Sequence, residues 1–186
     1  MAQSPTRAPL AEDEPIAVVP PDPGWTRRFD SERELLELVL APWLQGGIHH
    51  IGATSVPGLA AKPIVDIMAG VRGLDEARAA FAPLREHSYV HTPHRPGIAH
   101  HFSKPSARLR ECDYGLHLTE PGSDLWRERL AFRDALRADG ALTAEYEALK
   151  LQLAREHPRD ITAYTAGKRA FVGRVLAGAG IPLGRR

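Results

Sequence analysis

The run at residues 63–71, Pro-Ile-Val-Asp-Ile-Met-Ala-Gly-Val, is apolar apart from one carboxylate, Asp66. A segment of that length and texture reads as a strand buried on both faces, and an acid inside it is costly unless its surroundings compensate the charge. A shorter apolar run, residues 48–51, precedes it, and a loop of eleven residues, 52–62, joins the two. Strand, tight loop and strand with a displayed acid are the parts of a phosphate and metal site. Glycines at 52 and 58 let the backbone turn and approach a ligand closely, Thr54 and Ser55 bring hydroxyls, Lys62 brings a cation, and Asp66 brings a hard oxygen ligand. Gly52, Thr54, Ser55 and Lys62 are therefore the candidate phosphate contacts. Asp66 is the candidate metal ligand and catalytic residue. Two structural roles compete: glycines present only for turn geometry, and a salt bridge in which Lys62 and Asp66 satisfy each other.

The remaining pattern is mixed. Residues 16–19 read as a short strand, 20–24 as a Pro/Gly turn, and Trp25, Phe29, Leu35, Leu36, Val39 and Leu40 recur at helical spacing over 25–40. Ala77, Ala80, Phe81 and Leu84 predict a helix over 75–87, and residues 89–91, 98–103 and 114–119 read as strands between turns. From residue 124 onward the spacing is helical. Breaks at 138–140, 157–158 and 178–180 divide it into three helices, the second over 142–156 and the third over 161–177. The expected fold class is α+β, a small mixed sheet with C-terminal helices packed on it. One domain would cover residues 15–180, with an α+β half at 15–120, a helical half at 122–178, and a disordered tail at 1–14.

Charge and cysteine content narrow the function. The 24 basic and 23 acidic residues are well mixed and give a net charge of +1, which argues against general nucleic-acid or membrane-surface binding. An anion would have to be bound locally. Cys112 is the sole cysteine, so neither an internal disulfide nor a cysteine-based zinc framework is available. There is no membrane-length apolar run and no signal-peptide core, so a cytoplasmic location is expected. The pairs His49-His50 and His100-His101 point to opposite faces if they lie on strands, so neither pair clamps a metal by itself. Arg129, Arg133 and Arg137 recur every fourth residue beside Glu128 and Asp134, the pattern of a solvated helix face. Walker, Gly-x-Ser-x-Gly and Gly-x-Gly-x-x-Gly motifs are absent from the sequence.

The signature Ile-Gly-x-Thr-Ser-Val-Pro-Gly-Leu-Ala-Ala-Lys-Pro-Ile-x-Asp-Ile at residues 51–67 resembles that of the GrpB family, a branch of the nucleotidyltransferase-fold superfamily. The resemblance continues at 116–118 (Leu-His-Leu), 132–137 (Phe-Arg-Asp-Ala-Leu-Arg), 146–150 (Tyr-Glu-Ala-Leu-Lys) and 163–172 (Ala-Tyr-Thr-Ala-Gly-Lys-Arg-Ala-Phe-Val), covering roughly residues 15–178. It implies a nucleotidyltransferase-like fold and an Mg²⁺-dependent nucleotide-binding protein that transfers a nucleotidyl group from a nucleoside triphosphate to a small-molecule acceptor. In such folds a Gly-Ser pair holds the triphosphate and paired strand acids hold the metal. Gly52 and Asp66 match these, whereas Ala53 stands at the serine and Met68 at the second acid. Further metal ligands are then sought at Asp113 and His117, where the family usually shows His-Leu-His and Gly115 replaces the first histidine. Arg133, Lys150, Tyr164 and Lys168 lie in the strongest matching strings and are the expected phosphate and base contacts of the helical half. The competing reading is a non-catalytic nucleotide-binding module tied to coenzyme A metabolism, because similar domains are fused to dephospho-CoA kinase in some bacteria.

Overall fold

A computed structural model describes residues 15–93, 96–182 and 184 of the chain. The tail expected over residues 1–14 lies outside the described residues. The N-terminal half contains helix α1 (Gly24–Val39) and strands β1 (Leu44–Ile51), β2 (Val65–Val71), β3 (Val90–His91), β4 (His100–Lys104) and β5 (Tyr114–Thr119), with α2 (Phe81–Glu86) between β2 and β3. The strands form one sheet in the order β1-β2-β5-β4-β3. β2 lies parallel to β5 and antiparallel to β1, and β4 is antiparallel to β5, so the sheet is mixed as expected.

Alternation along the strands separates two faces. On one face Ile48, Ile67, Ala69, Phe102, Leu116 and Leu118 pack against Trp25, Phe29 and Leu36 of α1 and Leu84 of α2. Burying each of the larger aliphatic side chains contributes about 1.5–3 kcal/mol. Register places two rows on the opposite face. Ile51, Asp66, Gly115 and Ser103 form the first, and His49, Met68, His117 and His101 the second.

The C-terminal half covers that second face. It comprises α3 (Asp124–Ala138), α4 (Gly140–Glu156), α5 (Ile161–Gly167) and α6 (Arg169–Gly178). Three of these helices start on side-chain caps: Ser123 accepts from the Trp126 amide, Asp139 from the Ala141 and Leu142 amides, and Asp160 from the Ala163 amide. Asp139 alone separates α3 from α4, ending one helix and capping the next. Val56 and Leu59 from the 52–62 loop are buried among Leu136, Tyr146, Phe171 and Val175. The loop is thereby held between the sheet and the helices.

Three expectations are corrected. Residues 16–19 form no strand of the sheet and make only one bridge, Val19 to Ala61. The helix expected over 75–87 begins as a 3₁₀ turn, Glu76–Ala80, before α2. The helix expected over 161–177 is two helices meeting at Lys168. Gly167, the last residue of α5, packs so closely on the Leu153 side chain that a Cβ there would collide with it.

Candidate functional site

Asp66 occupies the second position of β2, on the face turned toward the helical half, between Ile51 of β1 and Gly115 of β5. Two glycines make room for it. Gly52 has φ +70°, and a Cβ there would strike the Asp66 carboxylate. A Cβ on Gly115 would stand 2.9 Å from Asp66 Oδ1 and 3.6 Å from His101 Nε2. The backbone thus hugs the acid on two sides, which accounts for both glycines without reference to a ligand. Burial holds the Asp66 carboxyl above the usual range, opposed by the positive charges of Lys62, Arg129 and Lys168.

Those three cations come from three places in the chain: the loop before β2, the middle of α3, and the α5–α6 junction. Burial also pushes the Lys62 ammonium down, with Asp66 pulling it back up. Burial pushes Lys168 down to about 7, helped by Lys62, Arg129 and Lys150 and opposed by Asp66. The Lys168 Nζ lies 4.3 Å from the centre of the buried Tyr164 ring, and the Lys62 Nζ lies 5.7 Å from it. Arg129 Nε is buried without a hydrogen-bond partner. One carboxylate therefore faces three cations, two of them ammoniums that burial makes reluctant to stay charged. An unfilled buried donor and surplus positive charge are the chemistry of an anion site.

The structure divides the candidate residues into two groups. Asp66 and His117 lie on the sheet face turned toward the helical half, Gly52 packs against the Asp66 carboxylate, and Lys62 and Lys168 act on that carboxylate from the loop and the α5–α6 junction. The other candidates are engaged elsewhere. Thr54 bonds His50 Nε2 at 3.0 Å and donates to the Ile64 carbonyl at 3.2 Å. Ser55 donates to the Gly52 carbonyl at 2.6 Å. Arg133 donates to the His50 carbonyl at 3.2 Å, and Lys150 donates to the Ala60 carbonyl while Glu147 accepts from the Ala60 amide at 2.8 Å. Arg137 donates twice to the Ser55 carbonyl, at 2.9 and 2.7 Å. These contacts fix the loop's shape. The Asp113 carboxylate pairs with Arg28 at 3.1 Å at the surface.

Two cleft residues escaped the sequence reading. The arginine stripe is not a solvated face, since Arg129 buries its Nε and its charge acts on Asp66, while its two successors brace the loop. His101 Nδ1 meets Thr92 Oγ1 at 2.6 Å, and its ring centroid lies 4.6 Å from that of His117. The expected splitting of the histidine pairs holds. His50 stacks on Phe29 in the core and His49 meets Trp126 on the other face, while His100 bonds the Leu74 carbonyl and His101 bonds Thr92. Among the described residues no three His, Cys, Asp or Glu side chains converge to hold a metal.

Comparison with known proteins agrees with this architecture. The profile of the GrpB protein family matches residues 15–177. The chain is 32% identical over 167 residues to the glutamate-rich protein GrpB of Alkalihalophilus pseudofirmus, covering 87% of this chain and 94% of that protein. It is 37% identical over 151 residues to UPF0157 protein YqkA of Bacillus subtilis, covering 80% of this chain but only 42% of that longer protein. A dephospho-CoA kinase of Mycolicibacterium paratuberculosis is 29% identical, over 83% of this chain and 43% of the kinase. Among solved structures, GrpB from Enterococcus faecalis superposes with a TM-score of 0.78 at 28% identity, covering 88% of this chain and 96% of that one. A chain of the GLD-2/RNP-8 complex superposes with a TM-score of 0.53 at 11% identity, covering 82% and 60%. That second likeness concerns the fold alone.

Proposed function

This chain belongs to the GrpB family, and we propose that it binds the phosphate tail of a nucleoside triphosphate in the cleft between Asp66 and the helical half. The observation that carries the reading is the set of half-buried basic side chains around one acid, Lys62, Arg129 and Lys168 about Asp66, with the Lys62 and Lys168 ammoniums both over the Tyr164 ring and Arg129 Nε unpartnered. A phosphate chain would relieve the cost of burying those cations and supply acceptors for the unpartnered Arg129 Nε.

Nucleotidyl transfer is the second reading, supported by the nucleotidyltransferase-like fold and by Asp66 on its β2 face. In it an acceptor hydroxyl oxygen forms a bond to the α-phosphorus and the bond from that phosphorus to the bridging oxygen of the β-phosphate breaks. Pyrophosphate leaves and the hydroxyl proton passes to solvent. Mg²⁺ would supply charge neutralisation at the phosphates. The residues suit a metal that arrives with its nucleotide, because Mg²⁺ accepts one protein carboxylate when phosphates and water complete its shell. Asp66 would hold it, with His117 two residues along β5 from Gly115, the register partner of Asp66; the other proposed ligand, Asp113, is paired with Arg28. A regulatory module that binds a nucleotide of coenzyme A metabolism without turnover would use the same cations. Its support is the resemblance to part of a dephospho-CoA kinase.

The test is the thermal midpoint of the protein with ATP, GTP, CTP and UTP, with and without Mg²⁺. A triphosphate at a hundred times its Kd contributes about 2.7 kcal/mol, or roughly 5–10 °C for a chain of this size. Lys168→Met should lose the shift, and Asp66→Asn should lose only its Mg²⁺-dependent part. If no triphosphate moves the midpoint, the nucleotide readings fail together.

A further inference from the structure

Resting on the nucleotide reading, we infer that the determinant recognised in this cleft is the phosphoanhydride chain itself, with the base left unread. Lys62 of the 52–62 loop and Lys168 of the α5–α6 junction bring their ammoniums to one ring, Tyr164, at 5.7 and 4.3 Å, and Arg129 of α3 acts on the same acid, so the basic groups come from three elements instead of one. Arg129 stays charged throughout, and an arriving anion favours the charged forms of Lys62 and Lys168, so the basic groups about Asp66 outnumber the acid three to one once a ligand is present. A single phosphate would meet the Asp66 charge at the same point, whereas a chain of two or three phosphates reaches several cations at once. Arg129, with Nε buried and unpartnered, supplies a donor for such a chain on the α3 side.

The two tyrosines of the helical half also withhold their faces from a base. Tyr164 is 1% exposed and carries the Lys168 ammonium 4.3 Å from its ring centre. Tyr146 is 8% exposed, stacks on Phe171 at 5.0 Å and carries the Lys150 ammonium at 5.0 Å. Base recognition without sequence preference normally uses an open ring on which the base lies. Here each tyrosine serves as a floor for a lysine: Tyr164 for Lys168, which meets the phosphate, and Tyr146 for Lys150, which holds the Ala60 carbonyl.

The experiment is titration calorimetry of the full chain at fixed ionic strength with inorganic tripolyphosphate, pyrophosphate, orthophosphate, ATP, UTP and adenosine. Tripolyphosphate should bind within about threefold of ATP and UTP, orthophosphate about a hundredfold more weakly, and adenosine without detectable heat. Lys168→Met should weaken tripolyphosphate and ATP by the same factor. Its fold is checked by circular dichroism, with Lys168→Gln as a second variant should the first unfold. ATP binding more than about tenfold tighter than tripolyphosphate overturns this inference and leaves the nucleotide reading intact. Tripolyphosphate binding with nucleotides excluded overturns the nucleotide reading while keeping the phosphate chain as ligand. Binding of neither overturns both.

Discussion

Replacing Gly52 by alanine tests whether the loop glycine exists for Asp66. Gly52 sits at φ +70°, ψ −175°, a conformation nearly confined to glycine, where an alanine carries about 1–3 kcal/mol of strain. The added Cβ would also strike Asp66 Oδ2 and lie 3.0 Å from both Cβ and Cγ of that residue, so the acid must move. Overpacking of this kind adds about 1–3 kcal/mol, and the stiffer unfolded chain returns about 0.4–1 kcal/mol. The net is a loss of about 2–4 kcal/mol, which lowers the thermal midpoint by roughly 10 °C. Urea unfolding followed by circular dichroism should show a lower midpoint at unchanged slope. In an Asp66→Ala background the collision with the carboxylate is gone, leaving backbone strain and the 3.0 Å approach to the retained Cβ. The double-mutant cycle should therefore show about 1–2 kcal/mol of coupling. A Gly52→Ala protein within about 0.5 kcal/mol of the parent refutes the whole account. Simple additivity refutes the close approach and keeps the strain.

His50 is stacked on Phe29 and held down to a pKa of about 4 by burial, then by Arg137 and Arg133. The unfolded chain therefore takes up that proton first, and stability should fall by about 3 kcal/mol as pH drops from about 6.5 to 4, an acid limb that urea titrations of His50→Gln should lack. Lys168, held near 7 among Lys62, Asp66, Arg129 and Lys150, works with opposite signs on two observables. Protein stability should rise with pH from about 7 toward 10, because the unfolded lysine binds the proton that the folded one sheds, while tripolyphosphate affinity falls over the same range. Lys168→Arg should flatten the binding profile, and a pH-independent affinity in the parent protein would rule out Lys168 as the titrating contact. Arg137→Leu removes both bonds to the Ser55 carbonyl and should cost about 1–2 kcal/mol. No change in its urea midpoint would mean that Arg137 does not brace the loop.

The sheet and the start of the site were legible because their signals are local. An apolar run with one acid reads as a buried strand whichever helices cover it, and β5 falls at its expected bounds, Tyr114–Thr119. Asp66 and Lys62 could be singled out for the same reason, since a charge in an apolar or turn context stands out in one dimension, whereas Lys168 was legible only through the resemblance of the string at 163–172. Arg129 could not be. An arginine every fourth residue describes a helix stripe equally well whether it faces water, a loop carbonyl or a carboxylate, and α3 presents successive members to the last two. Thr54 and Ser55 show the converse. Hydroxyls after a glycine suggest phosphate contacts, but in the 3₁₀ turn Ala53–Ser55 they fold inward, onto His50, the Ile64 carbonyl and the Gly52 carbonyl. Local hydrogen bonds of Ser and Thr compete with ligands for the same groups, and only tertiary context decides between them.

Met68 bears on how a metal could enter this site. Alternation puts it on the Asp66 face, where a second strand acid would stand, and it is fully buried in the row between His49 and His117. A carboxylate in that place would lose its hydration, with imidazoles as its row neighbours, and methionine removes that cost. What remains is one acid whose charge is already opposed by Lys62, Arg129 and Lys168. A bare divalent cation approaching Asp66 meets those three positive charges and gains one carboxylate. A cation already chelated by phosphate oxygens arrives inside a net anion, which the same three charges attract. The replacement of a second acid by Met68 therefore shifts any metal dependence from the protein to its ligand. In the triphosphate titration, Mg²⁺ by itself should leave the thermal midpoint where it was.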